Sequence, residues 1–426
     1  MLSLGLTRIV RLLEVLGNPD LTGKFRAIHI AGTNGKGSIC TYLSHILTAN
    51  HISNGRFTSP HLLTRSDSIQ INDIPVDPEA FHRLENKIID TDKKYSIGCT
   101  EFELLTCVAF EVFKEQNVDV AIFEVGLGGK LDATNVLQPQ KLLCTGISKI
   151  ALDHQNLLGN TIEEIALQKL GILKEGVPCV IDASNLPSVK RLARDRAEKL
   201  HCQLFEASKD LDATYDGFGQ LREFESPLRG GYQYSNLSVA LKVIEVIKES
   251  GVFTQFSKDN IKKGVANTKW PGRLDKFDLP LSGGKKLPIL LDGAHNANAV
   301  TELVAYLNGS YRHSAGNKTG DLIYVMAIKK DKTLQSMFKQ LFRDDDTVIF
   351  TQFKEGVEGM PWVHPTDPKL LEEEAKGCSK DIRIEPVLED ALEEAYKEHK
   401  RTGRNVVICG SLYLASDVLR QLEKMR

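Results

Sequence analysis

The sequence predicts an α/β protein with two domains, each built around a largely parallel sheet. Its 426 residues exceed what one hydrophobic core usually organises, so two domains are expected. Short apolar runs alternate with stretches of helical periodicity along most of the chain, and this alternation is typical of strand–helix units with parallel strands. The pattern is interrupted near residue 273 and then resumes, which indicates a domain boundary there.

The first domain is predicted over residues 1–272. Its N-terminal stretch carries Arg and Glu between apolar positions at helical spacing, which predicts a first helix, with an organelle presequence as the alternative. Thr161, followed by acids and a closing glycine, predicts a helix over 161–176. Three buried strands are predicted, at 25–32, 118–126 and 141–150.

The second domain follows a stretch with a different composition. Residues 273–287 are rich in Gly, Pro and Lys, so we predict a linker there, with a hairpin as the alternative. Residues 288–426 repeat the alternation of apolar runs and helical stretches, which predicts a smaller, Rossmann-like α/β domain. Two short charged runs, 343–346 and 372–376, are expected to be solvated surface.

The composition excludes several classes of function. A net charge of −2 gives no electrostatic signal for nucleic acid or a membrane surface. No apolar run approaches the roughly 20 residues that a membrane helix needs. The eight cysteines form no C-x-x-C pair, which favours a reducing compartment and packing thiols. We therefore expect a cytoplasmic protein, with a mitochondrial copy as an alternative, acting as a monomer on small molecules.

The stretch HIAGTNGKGS, residues 29–38, has the features of a phosphate-binding loop (P-loop) between a strand and a helix. Its glycines let the backbone approach a phosphate, Lys36 supplies a compact positive charge, and a helix N-terminus attracts anions. Gly37 departs from the common form, in which Ser or Thr follows the lysine. The alternative is an ordinary strand–turn–helix capped by Asn34. The predicted nucleotide-binding residues are Thr33, Asn34, Gly35, Lys36, Gly37 and Ser38.

Two further residues are candidates for a metal site. Glu124 ends a predicted buried strand and is followed by a glycine-rich turn, so it is expected in the crevice where α/β sheets bind ligands. Mg²⁺ prefers such oxygen ligands together with phosphate oxygens. The alternative is a carboxylate that simply points to water. His154 follows the next strand, but a lone histidine is more often structural than a ligand.

The motifs together resemble those of a known family. The chain is similar to the folylpolyglutamate synthase and dihydrofolate synthase family, a branch of the ATP-dependent amide ligases that also includes the Mur ligases. The resemblance runs from about residue 5 to residue 420 and rests on seven motifs in order: GTNGKGS, FTSPHL, EVGLGGKLDATN, LDH, WPGRL, DGAHN and CGSLY. The stretches GTNGKGSICTYL, CTEFELLT and EGMPWVHPTDP look most like the monofunctional fungal branch.

The resemblance implies a reaction. ATP phosphorylates a carboxylic acid, expected to be 7,8-dihydropteroate, and the amine of L-glutamate then displaces the phosphate. Addition of glutamate to tetrahydrofolates, or both activities, is the alternative. Such chemistry depends on charge neutralisation and positioning more than on a protein nucleophile. A nucleotide switch is disfavoured because the guanine-reading [NT]-K-x-D motif is absent.

The resemblance also implies a set of metal and catalytic residues. Two Mg²⁺ ions are expected, with an optional monovalent cation. The implied metal ligands are Ser59, Glu124, His154 and, if it is carbamylated, Lys169; a surface helix lysine is the alternative for the last. The implied catalytic residues are Lys36, His154, Lys169, Arg273 and His295.

The substrate contacts come from both predicted domains. ATP is expected at Asn236, Arg273 and Asp292 besides the loop, so the smaller domain must close for a complete site; an interdomain ion pair is the alternative for Arg273. Glutamate is expected near Ser411. The pterin acid is expected near Thr100, Glu101, Phe102, Glu103, Leu131, Asp132 and Ala133, with Phe102 stacking on the ring or, alternatively, belonging to the core.

Overall fold

The computed structural model describes residues 5–312, 320–330 and 334–424. The chain divides into two compact units. The first comprises the chain up to Pro227 together with Tyr232–Lys269, and the second comprises Leu228–Gly231 together with the chain from Trp270 onward. Each unit has its own sheet flanked by helices, which confirms the predicted α/β class.

The sheet of the first unit has eight strands in the order β4-β3-β2-β5-β1-β6-β7-β8. From β2 to β8 the neighbours are parallel, whereas β3 and β4 are added antiparallel at one edge. Because β1 is flanked by β5 and β6, the loops that follow these three strands open at one carboxyl edge. The strands are β1 (Arg26–Ala31), β2 (Asn54–Phe57), β3 (Ile69–Ile71), β4 (Ile74–Pro75), β5 (Val120–Glu124), β6 (Leu142–Ile147), β7 (Cys179–Asp182) and β8 (Leu204–Ala207).

Ten helices and a small hairpin complete the described part of the first unit. The hairpin pairs β9 (Thr214–Tyr215) with β10 (Gly219–Gln220). The helices are α1 (Thr7–Val15), α2 (Pro19–Thr22), α3 (Lys36–Ala49), α4 (Pro78–Lys94), α5 (Glu101–Glu115), α6 (Gln155–Leu158), α7 (Ile162–Lys169), α8 (Pro187–Lys199), α9 (Tyr232–Glu249) and α10 (Lys258–Ala266).

One core of this unit packs α1, α4 and α5 against the sheet. Its aromatic centre includes Phe110 and Phe123, whose ring centroids are 4.8 Å apart. Such aromatic pairs contribute about 0.5–1.5 kcal/mol beyond the area they bury. Ile9, Leu12 and Leu13 of α1 belong to the same core, so the amphipathic N-terminal stretch forms the predicted first helix.

The second unit is built on six strands in the order β11-β12-β16-β13-β14-β15. All neighbours are parallel except β11 and β12. Its strands are β11 (Asp275–Leu281), β12 (Lys285–Leu291), β13 (Leu322–Met326), β14 (Thr347–Phe350), β15 (Asp381–Ile384) and β16 (Asn405–Cys409). Its helices are α11 (Ala297–Tyr306), α12 (Gln335–Leu341), α13 (Pro368–Ala375), α14 (Leu388–Thr402) and α15 (Leu412–Lys424), with a π-helical turn at Leu307–Tyr311.

The segment 273–287 forms most of a hairpin instead of a linker. Strands β11 and β12 pair antiparallel from Asp275 opposite Leu291 to Leu281 opposite Lys285. Gly283 and Gly284 both have φ of +73°, a left-handed conformation that glycine adopts without strain, and so they form the turn. Leu279, like Leu281, is buried, so the alternation of apolar and polar residues outweighs the breaker residues here.

The helix predicted over 161–176 is shorter in the structure. Thr161 caps it through a capping box with Glu164, as its position predicted, but α7 ends at Lys169 and a 3₁₀ turn follows. Gly171 explains the early end, since a Cβ there would lie only 2.6 Å from the Cα of Lys130. The backbone of the turn therefore packs directly on the glycine-rich segment after β5.

Two general expectations can be compared with the described residues. No helix among them is long and apolar enough to cross a membrane. All eight cysteines are free thiols, and all except the partly exposed Cys99 are buried. The cysteines therefore act as packing residues, as predicted.

The charged run at 343–346 is solvated only in part. The side chains of Asp344 and Asp345 are 74 % and 65 % exposed, as expected for a surface run. Asp346 is fully buried and receives both terminal guanidinium nitrogens of Arg312, at 2.7 and 2.8 Å. The backbone N–H of Leu322 also donates to it, at 2.8 Å. This carboxylate therefore joins the start of β13, through Leu322, to the segment just before β14, which contains Asp346 itself.

We predict that Asp346→Asn lowers the free energy of unfolding by about 3–5 kcal/mol, because it leaves the Arg312 charge buried without its counterion. Urea unfolding of wild-type and variant protein measures the change. Asp345→Asn is the matched control, since it removes only an exposed pair with Lys380 and should cost less than about 1 kcal/mol. Equal effects of the two substitutions would contradict this account of the buried pair.

Candidate active site

The predicted phosphate-binding loop lies between β1 and α3 at the carboxyl edge of the first sheet. Gly35 occupies the N-cap position of α3 and has φ of +92°. The alternative interpretation had placed Asn34, one residue earlier, as the capping residue. The first amides of a helix have no carbonyl partner within it, so this turn can offer backbone N–H groups to an anion.

The loop is anchored to the segment that follows β6. The backbone N–H groups of Thr33 and Asn34 donate to the carbonyl of Lys149, at 2.9 and 3.2 Å. The hydroxyl of Thr33 donates to the carbonyl of Ala151 at 3.1 Å and accepts from its N–H at 3.0 Å. These bonds fix the loop independently of any ligand.

Asn236, on α9, lies directly against the loop. A Cβ on Gly35 would be 2.1 Å from its side-chain oxygen, so only glycine fits there. The amide of Asn236 donates to Gln233 at 2.9 Å, and Gln233 approaches the hydroxyl of Ser38 at 3.5 Å. The structure thus brings the predicted residues Gly35, Ser38 and Asn236 together.

Lys36 and Glu124 form the charged centre of the site. The ammonium of Lys36 is 3.7 Å from a carboxylate oxygen of Glu124, and the other oxygen accepts the N–H of Ser59 at 3.3 Å. Glu124 is buried at the end of β5, where it is paired in register with Ile30 of β1. Adjacent parallel strands therefore bring these residues together, so Glu124 does not simply point to water.

Lys169 is buried beside the same loop. Only 5 % of the residue is exposed, and its ammonium nitrogen lies 2.8 Å from the carbonyl oxygen of Gly32. Burial, and secondly the positive charge of Lys36, lowers the pKa of Lys169 to about 7. The alternative of a surface helix lysine is therefore wrong.

His154 lies at the start of α6, with φ of +52° and an exposed side chain. The segment before it is tied to the loop through Ala151 and Thr33. Among the described residues, no group of three His, Cys, Asp or Glu side chains is arranged to hold a metal ion.

The polar residues predicted to bind the acid at the N-terminus of α5 make contacts within the protein. Thr100 and Glu103 form the capping box of the helix, and Glu103 is also paired with Arg8 at 3.0 Å. Glu101 is paired with Arg65 at 2.7 Å. These contacts stabilise the helix start, and the substrate-binding role of the two glutamates stays a prediction.

Phe102 packs on both the core and the end of β5. Its ring stacks on Phe57 with centroids 5.8 Å apart, and a Cβ on Gly126 would lie 2.5 Å from its ring edge. It is only partly buried. The two interpretations of Phe102, core residue and ring-stacking residue, are therefore compatible.

The segment after the glycine turn contains the other predicted acid-binding residues. Leu131 is 41 % exposed, whereas Asp132 and Ala133 are buried. Asp132 accepts the backbone N–H groups of Leu127, at 2.8 Å, and Thr134, at 3.0 Å. The Asp132 carboxylate therefore joins Leu127 to Thr134 and holds the turn between them closed.

The second unit brings its own predicted residues together. Asp292, just after β12, accepts the N–H groups of Leu274 and Ala294, at 2.9 and 2.8 Å. Burial raises the pKa of Asp292, and the charge of Arg273 opposes that rise. A Cβ on Gly293 would lie 2.2 Å from a guanidinium nitrogen of Arg273.

The remaining two predicted residues lie at the same edge of the second unit. A ring nitrogen of His295 is 2.8 Å from the carbonyl oxygen of Gly293. The hydroxyl of Ser411 accepts the N–H of Tyr413 at 3.0 Å at the start of α15. A Cβ on Gly293 would be 2.4 Å from Leu412, so the segments after β12 and β16 touch.

Two loop neighbours were not predicted. Gln233 precedes Asn236 by one helical turn, and this spacing was a signal that could have identified it. Ser148 is fully buried, and its hydroxyl has no hydrogen-bond partner in the described part of the chain. A Cβ on Gly32 would clash with this hydroxyl. No sequence pattern indicated Ser148, because its contact joins two segments far apart in the chain.

Comparison with known proteins agrees with this geometry. Residues 276–421 match the family model "Dihydrofolate synthetase, C-terminal domain". The chain is 41 % identical to the dihydrofolate synthetase of Saccharomyces cerevisiae over 98 % of both proteins. It is 38 % identical to the probable dihydrofolate synthetase of Schizosaccharomyces pombe over 99 % of both.

A solved structure of the same fold contains nucleotide. The crystal structure of Mycobacterium tuberculosis folylpolyglutamate synthase complexed with ADP and AMPPCP has a TM-score of 0.82 and 26 % identity, covering 98 % of this chain and 95 % of that one. With two relatives above 30 % identity over nearly the whole length, the chain belongs to the dihydrofolate synthetase and folylpolyglutamate synthase family.

Proposed function

We propose that this protein is an ATP-dependent ligase that joins L-glutamate to 7,8-dihydropteroate and releases 7,8-dihydrofolate, ADP and phosphate. The observation that carries the proposal is the phosphate loop beside Lys36, Glu124 and Lys169 at the carboxyl edge of the first sheet. The names of the two fungal relatives support the choice of acid.

The reaction has two displacements. A carboxylate oxygen of the pterin acid attacks the terminal phosphorus of ATP, the bond to the bridging oxygen breaks, and ADP leaves. The glutamate nitrogen then attacks the carbonyl carbon of the acyl phosphate, phosphate leaves, and the nitrogen loses a proton. Neither displacement needs a protein nucleophile, so positioning and charge neutralisation supply most of the catalysis.

Lys36 is the residue whose positive charge neutralises the phosphate groups of ATP. In the ligand-free protein its ammonium is held near Glu124, and it also lies 3.3 Å from the carbonyl oxygen of Thr33. A triphosphate offers it a stronger anionic partner at the same edge. Lys36 then neutralises charge on the transferred phosphoryl group, while Glu124 is left to a cation.

Mg²⁺ would be held by the Glu124 carboxylate, which is buried beside Lys36 of the phosphate loop, together with oxygens of the nucleotide and water. The family motifs add Ser59, whose N–H donates to Glu124, and His154 as further ligands. Bound Mg²⁺ neutralises phosphate charge and orients the terminal phosphoryl group. Two such ions, and a monovalent cation, remain predictions from the resemblance.

Lys169 is suited to carbamylation. A neutral amine can attack CO₂, forming an N–C bond and releasing one proton, and a pKa of about 7 leaves much of this amine neutral near neutral pH. The product is an anionic oxygen donor, which suits Mg²⁺ better than an ammonium does. In this proposal, carbamylation converts Lys169 from a cation beside the phosphate loop into an anionic ligand.

The resemblance also carries substrate-binding roles over to residues of the second unit. Arg273 offers a fork of donors for phosphate, and Asp292 holds the turn that carries His295. Ser411 and its neighbours receive the glutamate. Each of these roles is carried over from the family motifs WPGRL, DGAHN and CGSLY.

We predict phosphate release that requires ATP, Mg²⁺, L-glutamate and dihydropteroate together. A coupled assay of phosphate and of the ligated product, run in parallel with tetrahydrofolate, measures it. A Lys36→Ala preparation controls for contaminating enzymes and should lose on the order of 10²-fold or more in kcat. Turnover with tetrahydrofolate alone would assign the polyglutamate branch, and no turnover with either acid would refute the proposal.

We predict that Gly35→Ala weakens ATP binding at least about tenfold, because the new methyl group would overlap Asn236 and strain a left-handed residue. Calorimetric titration with MgADP measures the affinity. Gly98→Ala is the matched control, since Gly98 also has positive φ but has open space around it. Comparable losses of affinity in both variants would contradict the assigned place of the loop.

We predict that wild-type protein incubated with ¹³C-bicarbonate gives a carbamate carbon signal by NMR, stronger at pH 8 than at pH 6, because the neutral fraction of Lys169 rises through a pKa of about 7. Lys169→Arg should lose the signal. Lys174→Arg is the matched control, because burial also lowers the pKa of Lys174. A signal that survives Lys169→Arg would exclude Lys169 as the carbamylated residue.

A further inference from the structure

Three buried polar side chains form a line from the centre of β1 to the turn after β5. A ring nitrogen of His29, Nε2, is 2.8 Å from the hydroxyl oxygen of Thr134. That hydroxyl is 2.5 Å from Oδ1 of Asp132. His29 and Thr134 are completely buried, and Asp132 is 2 % exposed. The reaction described above uses neither His29 nor Thr134.

The direction of the protons follows from Asp132. Three donors converge on its carboxylate, namely the N–H of Leu127 and both the N–H and the hydroxyl of Thr134. The Thr134 hydroxyl donates to Oδ1 of Asp132, so its oxygen accepts from His29. The three donors favour the ionised carboxylate and oppose burial, which is the larger effect and raises the pKa of Asp132.

His29 is thereby fixed in one tautomer. Nε2 carries the proton, and Nδ1 is buried and has no hydrogen-bond partner among the residues that the structure describes. Burial, and secondly the charge of Lys174, lowers the pKa of His29 to about 3, so the imidazole stays neutral near physiological pH. A neutral group with a fixed donor supports the line without adding charge.

The line ends on the part of the site expected to receive the acid. The Asp132 carboxylate accepts a hydrogen bond from the N–H of Leu127 and so closes the turn that follows Glu124. Within this turn Gly126 packs against Phe102, and Leu131 is exposed. The phosphate loop has separate anchors at Lys149 and Ala151. The line therefore supports the turn on the acid side of the site through hydrogen bonds separate from those that anchor the phosphate loop.

We propose that His29 and Thr134 are positioning residues for the carboxylic-acid substrate: they orient the Asp132 carboxylate, which in turn holds residues 126–132 in the shape that the acid meets. The proposal rests on the proposed function, because it requires an acid substrate at this turn. It assigns a function to two buried residues that do not touch the substrate.

Steady-state kinetics of Thr134→Val and Thr134→Ser tests the proposal. Valine removes the hydroxyl at nearly constant shape and should raise KM for dihydropteroate by roughly tenfold, while KM for ATP changes less than about twofold. Serine restores the hydroxyl and should recover most of the loss. Thr268→Val is the matched control, because it removes another buried threonine hydroxyl, bonded only to a helix carbonyl.

A second pair of variants covers the case in which Thr134→Val does not fold. His29→Gln keeps an N–H donor near the position of Nε2, whereas His29→Leu removes it. The proposal expects KM for the acid to rise more in the leucine variant. Equal KM values in the two variants, or equal rises in KM for ATP and the acid, would overturn it.

Nitrogen NMR of the histidines gives a readout that does not depend on turnover. The wild-type His29 signal should show the Nε2–H tautomer, unchanged between about pH 6 and pH 8. The opposite tautomer, or a titration in that range, would overturn the proposal even if the wild-type enzyme used no pterin acid. A wild-type enzyme that is active while Thr134→Val keeps a normal KM would refute the positioning role alone.

Discussion

The pairing of Lys36 with Glu124 is the constraint around which the site is built. A buried carboxylate at the end of β5 and a partly buried ammonium at the start of α3 lie 3.7 Å apart at the carboxyl edge of the sheet. Removing both from water is costly, so each needs the other until a ligand replaces one of them. In the proposed function, the phosphates of the nucleotide would replace Glu124 as the partner of Lys36, and a cation would replace Lys36 as the partner of Glu124.

The residues around this pair hold the carboxyl edge of the sheet in place through contacts within the protein. Thr33 anchors the loop to the segment after β6, and Gly35 leaves room for Asn236. Lys169 contributes a second buried nitrogen, at the carbonyl of Gly32. Since catalysis of phosphoryl transfer depends on preorganised charge, a loop held by bonds that need no ligand suits the proposed reaction.

Much of the fold and part of the site could be predicted from local sequence. Apolar runs identified β1 and β5, and the glycines with Lys36 identified the loop, because these features depend on neighbours in the chain. Contacts between distant segments could not be predicted in this way. Asp346 looked solvated until Arg312 was placed beside it. Glu103 carries a capping-box spacing, yet its pairing with Arg8 is visible only in three dimensions.

If ATP activates the acid by phosphorylating its carboxylate, the bridging oxygen of the acyl phosphate comes from the acid. Dihydropteroate labelled with ¹⁸O in the carboxylate tests this directly, by mass spectrometry of the released phosphate. The account predicts that one labelled oxygen per turnover appears in phosphate, because the acyl phosphate breaks at its carbonyl carbon. Label found in AMP, or phosphate released without label, would contradict it.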